Sequence, residues 1–191
     1  MVKFIFFSNE KKIINTYQKI LNRSHSGVKL DISFVEMDVL QLLEENSKIY
    51  DFNVIVSPSN SFCVMSGGID SVYKKLFPNI ESKAVKVKDE SKLALSTKGY
   101  YVPVGMNIIV NTESKLCKYM IMAPTMFLPR NINGTNNVYL TFYGILTKYY
   151  DKKITIACPT LGTGIGGMVF EDSANQILDA INDYQNNNPI L

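Results

Sequence analysis

Apolar and polar positions along this chain follow two alternating periods. Short continuous apolar runs occur at residues 3–7 (KFIFF), 32–37 (ISFVEM), 53–56 (NVIV), 118–123 (KYMIMA) and 154–157 (ITIA), and predict buried strands. Between them, apolar residues recur at offsets of three and four. Ile13, Ile14, Tyr17, Ile20 and Leu21 form one helical face, with Ser8-Asn9 placed to cap it. Residues 39–43 begin a short helix with an acidic tail. Ile69, Val72, Tyr73, Leu76 and Phe77 form another face, which Pro78 stops. Val138, Phe142, Ile145, Leu146 and Tyr149 follow a Thr135-Asn136 cap, and Ala174, Ile177, Leu178 and Ile181 close the series. Residues 79–98 read two ways: AVKVK alternates like a strand, while Ile80, Ala84, Val87 and Leu95 fit a helix. Residues 101–110 read as extended, with Pro103 and Gly105 marking a bulge or an edge. The tail, 185–191, is polar and expected to fray. Strands alternating with helices predict one α/β layered domain over residues 1–191.

Two strand-to-helix junctions are rich in glycine. Residues 54–70, VIVSPSNSFCVMSGGID, run from an apolar strand through a polar loop containing Asn60 to Gly67-Gly68 and a helix start. Backbone N–H groups at such a start lack intrahelical partners and the helix dipole favours an anion there, so a phosphate is expected at Gly67, Gly68 and Ile69. The second junction, CPTLGTGIGG, follows the last strand. It lacks the Lys-Ser/Thr ending of a P-loop, and no second βαβ half follows to make it a dinucleotide fingerprint. Two such loops at the carboxyl ends of two strands can hold both sides of an elongated ligand such as a diphosphate.

Composition narrows the classes. Hydrophobic content of 46% and charged content of 19% are those of a globular protein. A net charge of +3 is too mild for a basic nucleic-acid stripe. The three cysteines, Cys63, Cys117 and Cys158, form no CxxC pair, and the single histidine, His25, lies in a polar segment and reads as a solvated loop residue. No metal site and no cofactor are therefore expected. No run approaches the roughly 18 apolar residues needed to span a bilayer, so no membrane partner is expected. The expected location is intracellular and cytoplasmic, or the host cytoplasm if the Lys-, Asn- and Ile-rich usage reflects a virus. A monomer is favoured.

The separated motifs resemble those of macro domains. In that family a strand ends in an Asn-Ala-Ala-Asn-like element and leads to Gly-Gly-(Val/Ile)-Asp before a helix, as VIVSPSNSFCVMSGGID does here. CPTLGTGIGGM resembles the family's second phosphate loop, and Met37-Asp38-Val39 its Gly-Asp-Ile. IMAPTMFLP and TNNVYL resemble a bacterial and viral branch. The resemblance implies a three-layer α/β/α fold with a mixed central sheet, and ADP-ribose or an ADP-ribosylated protein as partner. It places Asp38 at the adenine amine and the Val39 N–H at the adenine. It places Gly67, Gly68 and Ile69 at one side of the diphosphate, and Gly162, Thr163, Gly164, Ile165, Gly166 and Gly167 at the other. Asn60 falls near the distal ribose, and Asp70 at the water-activating aspartate of hydrolytic members. Each also has a plainer role: Asp38 as a helix cap, Asn60 as an Asx-turn, Asp70 as a first-turn acid complementing the dipole.

The chain departs from the family in places. Ser57-Pro58-Ser59 replaces Asn-Ala-Ala. Gly166 stands where hydrolytic members often carry an aromatic residue, leaving Met168, Phe170 or Phe127 as substitutes. No lysine lies in 120–125, where one glycohydrolase subgroup has its nucleophile. Cys63 reads as a small filler or a redox-sensitive thiol lining the site. Four functions follow: hydrolysis of an ADP-ribosyl linkage or related ester by a water held by Asp70 and Asn60; a non-catalytic reader of ADP-ribose; a binder of single-stranded poly(A) RNA; or a degenerate member with neither activity.

Overall fold

The computed structural model describes residues 1–23 and 30–188, so His25 and its segment lie outside the described residues. A six-stranded sheet runs in the order β2-β1-β8-β3-β7-β6. Its strands are β1 (Lys3–Ser8), β2 (Asp31–Glu36), β3 (Val54–Ser57), β6 (Ile108–Asn111), β7 (Tyr119–Met122) and β8 (Thr155–Pro159). β2, β1, β8, β3 and β7 pair in parallel and β6 joins β7 antiparallel, so the sheet is mixed. A hairpin of β4 (Ala94–Ser96) and β5 (Gly99–Tyr101) stands apart.

Alternation along the strands builds two cores. Phe4, Phe6, Val54, Val56, Ile156 and Cys158 point to one face, against α1 (Lys11–Leu21), α5 (Asn137–Tyr149) and α6 (Phe170–Asn187). Ile5, Phe7, Ile55 and Ala157 point to the other, against α2 (Val39–Glu45), α3 (Gly68–Leu76) and α4 (Ile80–Ser91). This is the three-layer α/β/α arrangement. The central strands are apolar throughout because both faces are covered.

Several local expectations change. Residues 79–98 are mostly helical: the 3.6-residue period buries Ile80, Ala84 and Lys88 on one side of α4, which outweighs the short AVKVK alternation. Residues 101–110 break into two strands, because Met106 N–H bonds back to Pro103 O at 2.9 Å and Gly105 takes φ +92°. This turn touches α5 at Gly144, where a Cβ would stand 2.0 Å from the Gly105 carbonyl. Ser8-Asn9 does not cap α1. Glu10 is the N-cap, and Ser8 Oγ accepts its N–H at 3.2 Å. At α5, Thr135 Oγ1 receives the Asn137 N–H at 3.4 Å, while the Asn136 side chain makes no capping bond. α2 continues as a wider π-type turn over Asn46–Tyr50. α6 runs to Asn187 with Gln185 buried, so residues 185–187 of the polar tail are helical where fraying was expected, and residues 189–191 lie outside the described residues.

Candidate functional site

The five parallel strands deliver their carboxyl ends to one edge of the sheet, and a cleft of about 390 Å³ lies there. Every one of those ends contributes lining residues: Phe7–Glu10 after β1, Met37–Val39 after β2, the 58–70 segment after β3, the 125–129 segment after β7 and the 159–166 segment after β8. Its size suits a small-molecule ligand.

The first loop is held from both sides. Asn60 Oδ1 accepts Phe62 N–H at 3.1 Å and Val64 N–H at 3.4 Å, and its Nδ2 donates to Val64 O at 2.7 Å. The Asx-turn reading of Asn60 is therefore realised, and its side chain is largely spent on loop geometry although it lines the cleft. Glu81 accepts Met65 N–H at 2.8 Å and pairs with Lys74, tying the loop to α3 and α4. Gly67 caps α3 in extended backbone, and Gly68 takes φ +57°, a conformation that favours glycine. The N–H groups of Gly68, Ile69 and Asp70 open the helix and have no intrahelical acceptor.

The second loop turns on itself. Gly167 N–H reaches Gly164 O at 2.9 Å, and Met168 N–H reaches Gly162 O at 3.0 Å. Among the described residues, the N–H groups of Gly162, Thr163, Gly164, Ile165 and Gly166 donate to no protein acceptor. Successive free N–H groups of this kind form an anion-binding concavity. The two loops meet at Ile165: a Cβ on Gly67 would stand 2.8 Å from its Cδ1. Gly166 faces inward, where a Cβ would lie 2.5 Å from Gly162 O and 2.9 Å from Ile132 Cγ1. No side chain at position 166 can form a wall on this backbone. Met168, Phe127 and Phe170 do not line the cleft either; Met126 and Pro129 do.

At one end, Asp38 caps α2, its Oδ1 accepting Gln41 N–H at 3.0 Å, and the residue stays exposed at the cleft. The cap and a ligand role are compatible. The Val39 N–H is in the first turn of α2 beside the apolar side chains of Phe7, Ile13 and Met37. Deeper in the cleft is Asp70, 7% exposed. Ser57 Oγ donates to its Oδ1 at 2.6 Å. Burial raises the Asp70 pKa to about 6, and the Ser57 bond partly opposes that rise. Cys63 is fully buried outside the cleft lining with its thiol pushed up to about 12 by burial, which fits a filler and not a reactive thiol. Among the described residues no group of three or more His, Cys, Asp or Glu is arranged to hold a metal ion, and no helix is long and apolar enough to cross a membrane.

Three residues of the site escaped the sequence. Ser57 looks like a departure from a family asparagine, yet it is the partner of Asp70. Tyr17 and Ser173 look like core positions of two helices, yet their hydroxyls hold Leu161, which opens the second loop. The signal available was a tyrosine and a serine on otherwise apolar buried faces, which is not specific.

The macro domain family model matches residues 56–177, and the chain belongs to the macro domain family. An uncharacterized protein of Aquifex aeolicus is 30% identical over 138 residues, 71% of this chain and 76% of its own length. The macrodomain of Mycobacterium tuberculosis DarG superposes with a TM-score of 0.56 at 22% identity, covering 71% of this chain and 84% of that one. An Oceanobacillus iheyensis macrodomain mutant with ADPR gives 0.55 at 19% identity, covering 69% and 70%. These two structures share the fold.

Proposed function

We propose that the cleft binds ADP-ribose and that Asp70 uses a positioned water to hydrolyse an ADP-ribosyl linkage or related ester. The observation that carries binding is the pair of facing loops whose unpaired N–H groups flank one cleft, with Asp38 at one end and Asp70 within it. The adenine would rest on Phe7, Ile13 and Met37, its amine on the second oxygen of Asp38 and its ring on the Val39 N–H. The diphosphate would lie between Gly67–Ile69 and Gly162–Gly167. The distal ribose would reach Asn60 and Asp70. A buried carboxylate with a pKa near neutrality suits a general base, and the loops supply position and neutralising dipoles.

Among the described residues, the cleft lining contains no lysine, arginine or histidine. The diphosphate would be met by neutral N–H dipoles alone, so few counterions are displaced. Calorimetric titration with ADP-ribose is expected to give one-site binding whose affinity falls less than about threefold from 50 to 200 mM salt. No detectable heat overturns the proposal. Steep salt dependence that grows with oligonucleotide length points instead to poly(A) RNA.

A non-catalytic reader is the second reading. It is favoured by the commitment of the Asn60 side chain to its own loop and by the lack, among the described residues, of an aromatic ring in the cleft beyond Phe7. Release of ADP-ribose from a modified protein at catalytic protein levels separates the two: many turnovers support the hydrolase, a stoichiometric signal the reader.

A further inference from the structure

Tyr17, Leu161 and Ser173 close a hydrogen-bonded ring, and all three are 0% exposed. Ser173 Oγ donates to Leu161 O at 2.6 Å, so its single proton is spent. The 2.5 Å contact between the two hydroxyls is then donated by Tyr17. Tyr17 in turn accepts the Leu161 N–H at 3.1 Å. Every donor has one acceptor, and the ring runs in one direction around three segments: α1, the strand-to-loop junction after β8, and α6.

The consequence lies one bond further along. The Leu161 carbonyl and the Gly162 N–H belong to the same planar peptide and point in opposite directions. Ser173 draws the carbonyl into the interior, which turns the Gly162 N–H away from it. Gly162 lines the cleft, takes φ +70° and is the first of the unpaired donors of the second loop. A glycine in that region can flip its preceding peptide at little steric cost, so something outside the loop must choose the orientation. Tyr17 cannot drift, because its ring packs at 5.7 Å from that of Phe6 on the central sheet.

The geometry points to Tyr17 and Ser173 as positioning residues that set the orientation of the Gly162 donor and, through it, the anion-binding concavity of the second loop. This rests on the ADP-ribose reading for its ligand, but the orientation itself is a property of the unliganded protein.

Two measurements test it on Ser173→Ala and Tyr17→Phe. The first is the amide spectrum without ligand: the resonances of Gly162–Gly166 are expected to shift and those of Gly67–Ile69 to stay. The second is ADP-ribose affinity, expected to fall about tenfold in each single variant and no further in the double, because one break opens the whole ring. Ile177→Val, a buried position on α6 outside the ring, serves as the control for stability loss and should keep its affinity within about twofold at a comparable drop in Tm. Unmoved Gly162–Gly166 resonances, or an equal affinity loss in Ile177→Val, overturn the positioning role. If Ser173→Ala fails to fold, Tyr17→Phe, which keeps the packed ring, decides the matter alone. If the native protein binds no ADP-ribose, the functional reading fails, while the amide spectrum still decides the ring.

Discussion

Gly166→Ala is expected to destabilise the protein by about 3 kcal/mol and to remove measurable ADP-ribose binding. The added Cβ would stand 2.5 Å from the Gly162 carbonyl oxygen and 2.9 Å from Ile132 Cγ1. The first obstacle is backbone. It is also the oxygen that accepts Met168 N–H at 3.0 Å, so relieving the clash opens the loop closure. The Gly166 carbonyl accepts Ile132 N–H at 2.8 Å, which ties the same distortion to the 126–134 segment. Gly164→Ala is the sharp comparison. A Cβ there meets nothing within 4 Å and φ is not in the left-handed region, so stability should hold within about 0.5 kcal/mol. Gly164 nevertheless lines the cleft, where the proposed diphosphate would come close to the backbone, and the affinity of this variant should fall about tenfold or more. Thermal unfolding and calorimetric titration of both variants check this. Equal behaviour of the two would refute the distinction between packing and ligand approach.

Asp70→Asn is expected to lower turnover by about 10²- to 10³-fold while changing ADP-ribose affinity by less than about threefold. In the native protein the rate should rise with pH through about 6, as the buried carboxyl loses its proton, and then level off. Ser57→Ala removes the 2.6 Å bond that favours the carboxylate, leaving burial unopposed, so its rising limb should move to higher pH. The same group has a signature in stability. Its folded pKa lies above the ordinary 3.8, so its favourable contribution is complete below that value and is lost as pH rises towards 6. Above pH 7 Asp70→Asn should therefore be more stable than the native protein, by up to about 3 kcal/mol. Denaturant unfolding at pH 4 and pH 8 reads this without any substrate. A stability difference independent of pH would show that the carboxyl is not held against its charge. An advantage of Asp70→Asn that is larger at pH 8 than at pH 4 means that the fold gives up stability to bury this carboxyl, the arrangement expected of the proposed general base.

Much of the architecture is legible in the chain because each signal is local. The buried face of α1 is Ile13, Ile14, Tyr17, Ile20 and Leu21, the residues its period names. The strand runs are found where continuous apolar stretches stand, since strands covered on both faces need no polar alternation. The misread stretches are those where local signals conflict. AVKVK has a strand's alternation inside a helix's spacing, and the contacts of Ile80 and Ala84 with the sheet resolve it. The cap of α1 moves from Ser8-Asn9 to Glu10 because β1 extends through Ser8, and strand pairing takes precedence over a capping preference.

The candidate site divides along the same line. Gly67-Gly68, the second glycine loop and Asp38 are visible because backbone freedom and capping leave short-range marks in sequence. The roles of partners distant in the chain are not. Ser57 meets Asp70 across a loop, Glu81 reaches Met65 from α4, and Tyr17 joins Ser173 across 156 positions. Sequence by itself determined the layered α/β class and the two glycine-rich loops at strand-to-helix junctions, since composition and period are properties of the chain. Only the tertiary structure decided that the five parallel strands bring those loops to one cleft, that Asp70 is desolvated and bonded to Ser57, and that Gly166 leaves no room for a wall. Burial, hydrogen-bond partnership and the clash of a hypothetical Cβ depend on what lies nearby in space, and no local pattern encodes it.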